Sequence, residues 1–258
     1  MASRRVFIRT AVSAGAYAAS MMGSLAADQR RTVPRIIVCD VNETLLDLAA
    51  LEPQFTQVFG DRRVLQEWFN TLLLYSEVST LAGPYAEFAA IAGAALDMTA
   101  SARGVTMPPA DRNRILQGML SLPAHREVPA ALKEMRDAGL RLVTLTNSAP
   151  AAVQQQLANS GLATIFERSF SIDGVKRFKP APEPYRAVAE ALGVPTERLR
   201  LVAAHAWDVA GALRAGCAAA FVARPGKVLY PLGPQPDISG PDFQSVARQI
   251  IRAEASKA

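Results

Sequence analysis

The chain lacks several features that would have fixed its class at once. It has only two cysteines, Cys39 and Cys217, in 258 residues. Two are too few for a disulfide framework, and each lies in or beside an apolar strand pattern, so two buried thiols are expected. Aromatic residues make up only 7% of the chain. No cluster of Lys and Arg interleaves with them, so nucleic acid is not an expected partner. Positive charge is also scarce once its location is considered. The formal charge is +5, and three of the arginines, Arg4, Arg5 and Arg9, fall in the first 26 residues without any acid, which leaves about +2 for the rest. No repeat or low-complexity segment stands out. Half of the residues are hydrophobic, and Gly and Pro are ordinary in number. That composition fits one medium globular domain with room for an inserted subdomain.

The N-terminus reads as an address. Ser3 to Arg9 (SRRVFIR) resembles a twin-arginine export motif; a weakly apolar, Ala-rich stretch from Ala11 to Met22 follows, with small residues at Ser24 and Ala26 suited to signal-peptidase cleavage. The expectation is a signal over residues 1–26 and a periplasmic mature protein. The stretch is too short and too rich in Ala, Gly and Ser for a stable membrane anchor. Twin-arginine export also implies folding before export, in a reducing compartment, which agrees with free thiols.

Beyond the signal, short apolar runs alternate with helical patterns. That is the signature of an α/β fold with a parallel sheet covered on both faces. Strands are predicted at 35–40, 141–147, 168–173, 199–205 and 218–224. Pro150 opens a helix with a hydroxyl near its cap, 179–184 is a rigid Pro-rich turn before a helix over 185–192, and 207–215 is a short helix closed by Gly216. The Pro- and Gly-rich segment 231–241 reads as surface loop. One interval, 55–122, holds helical patterns such as Val64, Leu65, Trp68, Phe69, Leu72 and Leu73, but no convincing strand. It is far longer than one crossover helix needs. It is therefore expected to be a helical cap over a Rossmann-like core formed by 27–54 and 123–258, enclosing a small substrate and excluding water.

Chemistry-bearing residues recur at the predicted strand ends. Asp40 follows the first strand, Thr146 and Asn147 the second, Lys179 lies in the loop after the third, and His205 and Asp208 follow the fourth. In an open parallel sheet these ends form one edge, where ligands bind. A lone Asp at a strand end also reads as a helix cap. An acid, a hydroxyl and amide pair, a lysine and a second acid on successive strands are harder to explain that way.

In this order, and with a helical insert after the first, the segments DVNETLLD (40–47), LTNS (145–148), FKPAPEPY (178–185) and AAHAWD (203–208) resemble the four motifs of the haloacid dehalogenase superfamily. The Trp207-Asp208 pair, and Lys179 and Pro180 followed by Tyr185, look like the 2-haloacid dehalogenase branch rather than the phosphatases. The resemblance implies that Asp40 attacks the substrate carbon to form an ester that water then opens. Lys179 would keep Asp40 ionised and be held by Asp208. Thr44 would orient Asp40. Thr146 and Asn147, with backbone N–H groups at Val41 and Asn42, would hold the carboxylate of a small carboxylic acid substrate, and Tyr185 would support the pocket wall. It also implies no metal and no organic cofactor. In keeping with that, position 42, where the phosphatases place an acid/base Asp, is an amide, and the fourth motif offers no carboxylate beside Asp208.

Three positions depart from the branch. Phe69 stands after Trp68, where an arginine would receive the halide; His205 replaces an Asn and Ala203 a Ser. His205 has two readings: a polar slot-filler bonded to backbone, or the general base for the water that opens the ester. His125 reads as a surface or linker residue where the cap returns, Trp207 as packing, and Arg224 as a surface charge at a strand end. Two other functions stay open at this stage: a phosphatase acting on a small phosphoester, and a non-catalytic binding protein that keeps the fold. A homodimer is also left open.

Overall fold

The computed structural model describes residues 35–254, so the expected signal at 1–26 lies outside the described residues. Six parallel strands form one sheet in the order β3-β2-β1-β4-β5-β6. They are β1 (Ile36–Cys39), β2 (Leu142–Thr146), β3 (Arg168–Ser171), β4 (Leu199–Ala203), β5 (Ala218–Val222) and β6 (Ile238–Gly240). β1, β2 and β4 are buried along their whole length, as expected of central strands covered on both faces. β1 lies between β2 and β4, pairing Ile37 with Leu142 on one side and Arg200 on the other. The chain winds first toward β3 and then back past β1 to β4. The switch point, and with it the crevice for a ligand, lies at the carboxyl end of β1.

The five predicted strands are present. The sixth is a correction, because 238–240 lies in the segment read as loop. It is three residues long and pairs only with β5, through Ala220 and Ile238, as a short edge strand. Too few residues alternate there to give a periodic signal, and Pro and Gly flank them.

Between β1 and β2 the chain forms α1 (Glu52–Phe59), α2 (Val64–Ala82), α3 (Phe88–Ala102) and α4 (Pro109–Gly118) before α5 (Val128–Asp137) returns to the sheet. α2 buries the predicted stripe Val64, Leu65, Trp68, Phe69 and Leu72. Trp68 donates its indole N–H to the Ala92 carbonyl on α3 at 2.9 Å and packs against Phe55 of α1, with ring centroids 5.3 Å apart. These contacts give the helical insert its own apolar centre. It is tied back to the sheet where Asp47 N–H donates to Pro123 O and His125 N–H to Leu45 O. His125 is half-buried there, its Nε2 3.1 Å from the Glu43 carbonyl.

The remaining helices are α6 (Pro150–Asn159), α7 (Pro182–Ala191), α8 (Ala206–Arg214) and α9 (Phe243–Glu254). α6, α7 and α8 each follow a strand-end loop that carries site residues. Pro occupies the first turn of α6 and α7, where its missing N–H costs nothing. The expected hydroxyl cap on α6 is absent: the cap position is Ala149, and Ser148 Oγ instead accepts from Asn42 Nδ2. Both thiols are buried and free.

Candidate active site

Asp40 is the first residue beyond β1, and its N–H is still held by Val202 O of β4 at 3.0 Å. The chain then turns tightly. Val41 O accepts from both Leu45 N–H and Leu46 N–H, and Glu43 sits at φ 60, a left-handed conformation unusual for a residue with a side chain. The turn brings Thr44 back beside Asp40. Thr44 Oγ1 donates to Asp40 Oδ2 at 2.6 Å and accepts from Ala204 N–H at 2.9 Å, so one hydroxyl fixes the acid relative to the β4 loop.

Lys179 reaches the other oxygen. Its ammonium donates to Asp40 Oδ1 at 2.8 Å, Asp208 Oδ2 at 2.6 Å and Leu145 O at 3.1 Å, which uses all three of its protons. Burial pulls the lysine's pKa down, but Asp208 and Asp40 outweigh it and the value is raised. Burial pushes the Asp40 carboxyl up, yet Lys179 and His205 hold it well below the usual carboxylate range. Asp40 is therefore a carboxylate at any working pH. It is 4% exposed and anchored through both oxygens.

His205 ends the β4 loop and precedes α8. Its Nδ1 lies 3.2 Å from Asp40 Oδ2 and its Nε2 2.7 Å from Glu43 Oε2. Only an imidazolium can donate to carboxylates from both nitrogens. Burial opposes the charge, but the bonds to Asp40 and Glu43 win and push the pKa up to about 9. This corrects the first reading of His205, since its ring is bonded to two carboxylates and not to backbone; in the resting site it carries both ring protons. The Trp207 ring lies nearly parallel to it, with centroids 4.9 Å apart, and the Phe69 ring at 6.4 Å. Phe69, expected at the halide-receiving position, is buried; besides Lys179, the cation at Asp40 is His205 on the β4 loop.

Glu43 is the residue that sequence reasoning missed. It is buried, and its Oε2 also accepts from Lys227 Nζ at 2.8 Å, in the loop after β5. A carboxylate three residues beyond the nucleophile was visible, but its partners lie on loops far along the chain.

Several expected substrate contacts serve the protein itself. Thr146 Oγ1 accepts from Ser148 N–H at 3.1 Å, and Asn147 Oδ1 from Lys179 N–H at 3.2 Å, which shapes the two loops. Asn42 Oδ1 accepts from Gln156 Nε2 at 3.0 Å; the same nitrogen donates to Met119 O at 2.8 Å, near the end of the cap. Val41 is fully buried. Tyr185 is buried, and its hydroxyl donates to Asp208 Oδ1 at 2.6 Å beneath the ion pair. Arg224 is not a surface charge. It is buried, donating to Thr44 O at 2.8 Å and pairing with Glu127, and so braces the turn that follows Asp40.

The donor set does not suit Mg²⁺. The two oxygens of Asp40 are taken by Lys179 and by Thr44 with His205, those of Asp208 by Tyr185 and Lys179, and an ammonium lies between the two acids. Mg²⁺ wants free hard oxygens in octahedral array. Among the described residues no group of three or more His, Cys, Asp or Glu could hold a metal ion.

The family model for haloacid dehalogenase-like hydrolases matches residues 34–216. The chain belongs to that family. Within it, the similarities lie in the 2-haloacid dehalogenase branch. An (S)-2-haloacid dehalogenase of Pseudomonas sp. (strain YL) is 27% identical over 224 residues, covering 86% of this chain and 96% of that one. One from Xanthobacter autotrophicus is 30% identical over 192 residues, covering 74% and 75%. The structure of the L-2-haloacid dehalogenase from Xanthobacter autotrophicus with chloropropionic acid covalently bound superposes with a TM-score of 0.78 at 26% identity, covering 84% and 98%.

Proposed function

We propose that this hydrolase displaces the C2 substituent of a short (S)-2-haloacid through an ester on Asp40, without a metal. One observation carries the reading: a buried carboxylate held ionised by a fully coordinated lysine, with an amide at position 42 where a phosphoryl-transfer enzyme would want an acid. A fixed, partly desolvated carboxylate at the mouth of a parallel sheet is a competent nucleophile toward carbon.

In the first half-reaction an Asp40 oxygen bonds to C2, the C–X bond breaks, and its electron pair leaves with the halide. Charge develops on the halide as it leaves from the face of C2 opposite Asp40, in the field of the His205 imidazolium, whose Nδ1–H is the cationic donor at Asp40. Esterification neutralises Asp40 and so removes one of the two anions that hold the second imidazole proton. His205 then loses that proton to solvent, while Nε2–H stays on Glu43. In the second half-reaction neutral Nδ1 takes a proton from water as its oxygen attacks Asp40 Cγ. The Cγ–O ester bond breaks, and the departing 2-hydroxy acid takes that proton from His205. The Asp40 carboxyl returns its own proton to Nδ1, which restores the starting state. His205 is thus a donor when Asp40 is charged and a base when it is not.

The test is halide release from 2-chloro-, 2-bromo- and 2-fluoropropionate with and without Mg²⁺, followed by single turnover in ¹⁸O-water. Metal-independent halide and label in Asp40 are expected. Phosphate release from a generic phosphoester only in the presence of Mg²⁺, without halide release, would overturn the reading. We further propose export to the periplasm, supported by the paired Arg4 and Arg5 ahead of the Ala-rich stretch. Replacing both with Lys should leave the protein in the cytoplasm; unchanged periplasmic recovery would remove that reading.

A further inference from the structure

Glu43 Oε2 is shared. His205 Nε2 lies 2.7 Å from it and Lys227 Nζ 2.8 Å, while the second carboxylate oxygen takes part in neither contact. Lys227 belongs to a turn after β5 in which its N–H donates to Arg224 O at 2.8 Å and Gly226 supplies a left-handed φ of 78. Its side chain is 18% exposed. It lines two cavities, one of about 730 Å³ reached also by Glu43 and one of about 370 Å³ reached also by His205 and Trp207. It therefore stands between solvent and the carboxylate that holds the imidazole.

We propose that Lys227 is a positioning residue that sets how readily His205 releases its second proton, by competing with the imidazole for that one oxygen. Two effects act in the same direction. A second donor on Oε2 weakens it as an acceptor for Nε2–H, and the ammonium repels the imidazolium by charge. Without Lys227, the Glu43–imidazolium pair would be tight enough to keep Nδ1 protonated after Asp40 has been esterified, and the ester would wait for its base. The other groups facing His205 leave this part to Lys227. Asp40 favours the imidazolium and loses its charge in the ester; Lys179 acts on Asp40 from the far oxygen; Asp208, on the same helix as Trp207, is engaged by Lys179 and Tyr185. The rings of Trp207 and Phe69 carry no charge, and neither do Gln66 and Asn70, which face the smaller cavity from α2. His125 meets Glu43 only through its backbone carbonyl.

The decisive experiment is the ¹⁵N NMR titration of His205 in the full chain, comparing wild type with Lys227→Met, Lys227→Gln and Lys227→Arg. The midpoint should rise by roughly one pH unit in Lys227→Met and Lys227→Gln, on the scale of a nearby charge, and stay near wild type in Lys227→Arg. An unchanged or lowered midpoint in the neutral variants overturns the proposal. A kinetic arm rests on the hydrolytic reading above. In rapid-quench turnover of 2-chloropropionate, the halide burst should be unchanged, while ester hydrolysis near pH 7 falls about tenfold in Lys227→Met and recovers at higher pH. Slowing of both phases alike, without a shift in pH profile, would make Lys227 merely structural. Absence of halide from every form would remove the dehalogenase reading and leave the titration to decide the role of Lys227.

Discussion

Stability should fall between pH 6.5 and 9 by an amount traceable to one side chain. The fold raises the His205 pKa from 6.5 to about 9, against burial, through the bonds to Asp40 and Glu43. A cation whose pKa is raised on folding stabilises the fold fully below its unfolded value, and that contribution disappears as pH climbs through the folded value. The window is thus about pH 6.5 to 9, with loss toward the alkaline side. At about 1.4 kcal/mol per pH unit, the shift is worth roughly 3 kcal/mol. That is a large part of the ~5–15 kcal/mol that holds a typical domain folded. The perturbation is His205→Gln, which keeps a polar side chain of similar reach but cannot titrate. Urea unfolding of both proteins at pH 6 and pH 9.5 reads the difference. Wild type should lose about 3 kcal/mol more than the variant across that interval. Parallel pH profiles would mean that His205 is neutral throughout, and would remove the donor role assigned to it in the first half-reaction.

Other expectations follow from the same geometry. Asp40→Asn should abolish turnover, since an amide is a far weaker nucleophile, and leave the far-UV circular dichroism unchanged. Lys179→Met should move the acid limb of kcat/KM to higher pH, because Asp40 loses the charge on its Oδ1 side; it should also cost about 3–5 kcal/mol in denaturant unfolding by leaving the buried Asp208 without a counter-charge. An acid limb that stays in place would give Lys179 another task. Phe69→Arg should lower the Tm and give no gain in chloride release, because a second buried cation would enter beside the His205 imidazolium. A faster variant would show that the halide site wants a cation that His205 does not supply.

Most of the sheet was legible because a parallel strand buried on both faces must be a largely apolar run, as β1, β2, β4 and β5 are, while β3 (RSFS) is partly exposed and is no such run. β6 escaped because an edge strand of three residues needs no such run. Arg224 was misread for a related reason. A charged residue just past a strand is usually solvated, and nothing local shows that Thr44 O and Glu127 converge on its guanidinium. The order of the strand-end residues, by contrast, was readable directly, since topology places the end of every parallel strand on one edge.

The site divides along the same line. Asp40, Thr44, Lys179 and Asp208 could be grouped from sequence because each occupies a strand end or a position fixed relative to one. The protonation of His205 could not be read, because it depends on Glu43, whose side chain turns toward the imidazole only because the backbone at position 43 adopts a positive φ. A side chain held in that conformation costs of order 1–3 kcal/mol, and such strain persists where the surrounding contacts over-determine it. Here the contacts are the imidazolium on one side and Lys227 on the other. The arrangement also makes sense of Phe69. With an arginine at 69 and an imidazolium at 205, two cations would share one small buried space. With phenylalanine there, the imidazolium on the Oδ2 side of Asp40, opposite Lys179, is a charge that two carboxylates can hold and, once Asp40 is neutralised, release.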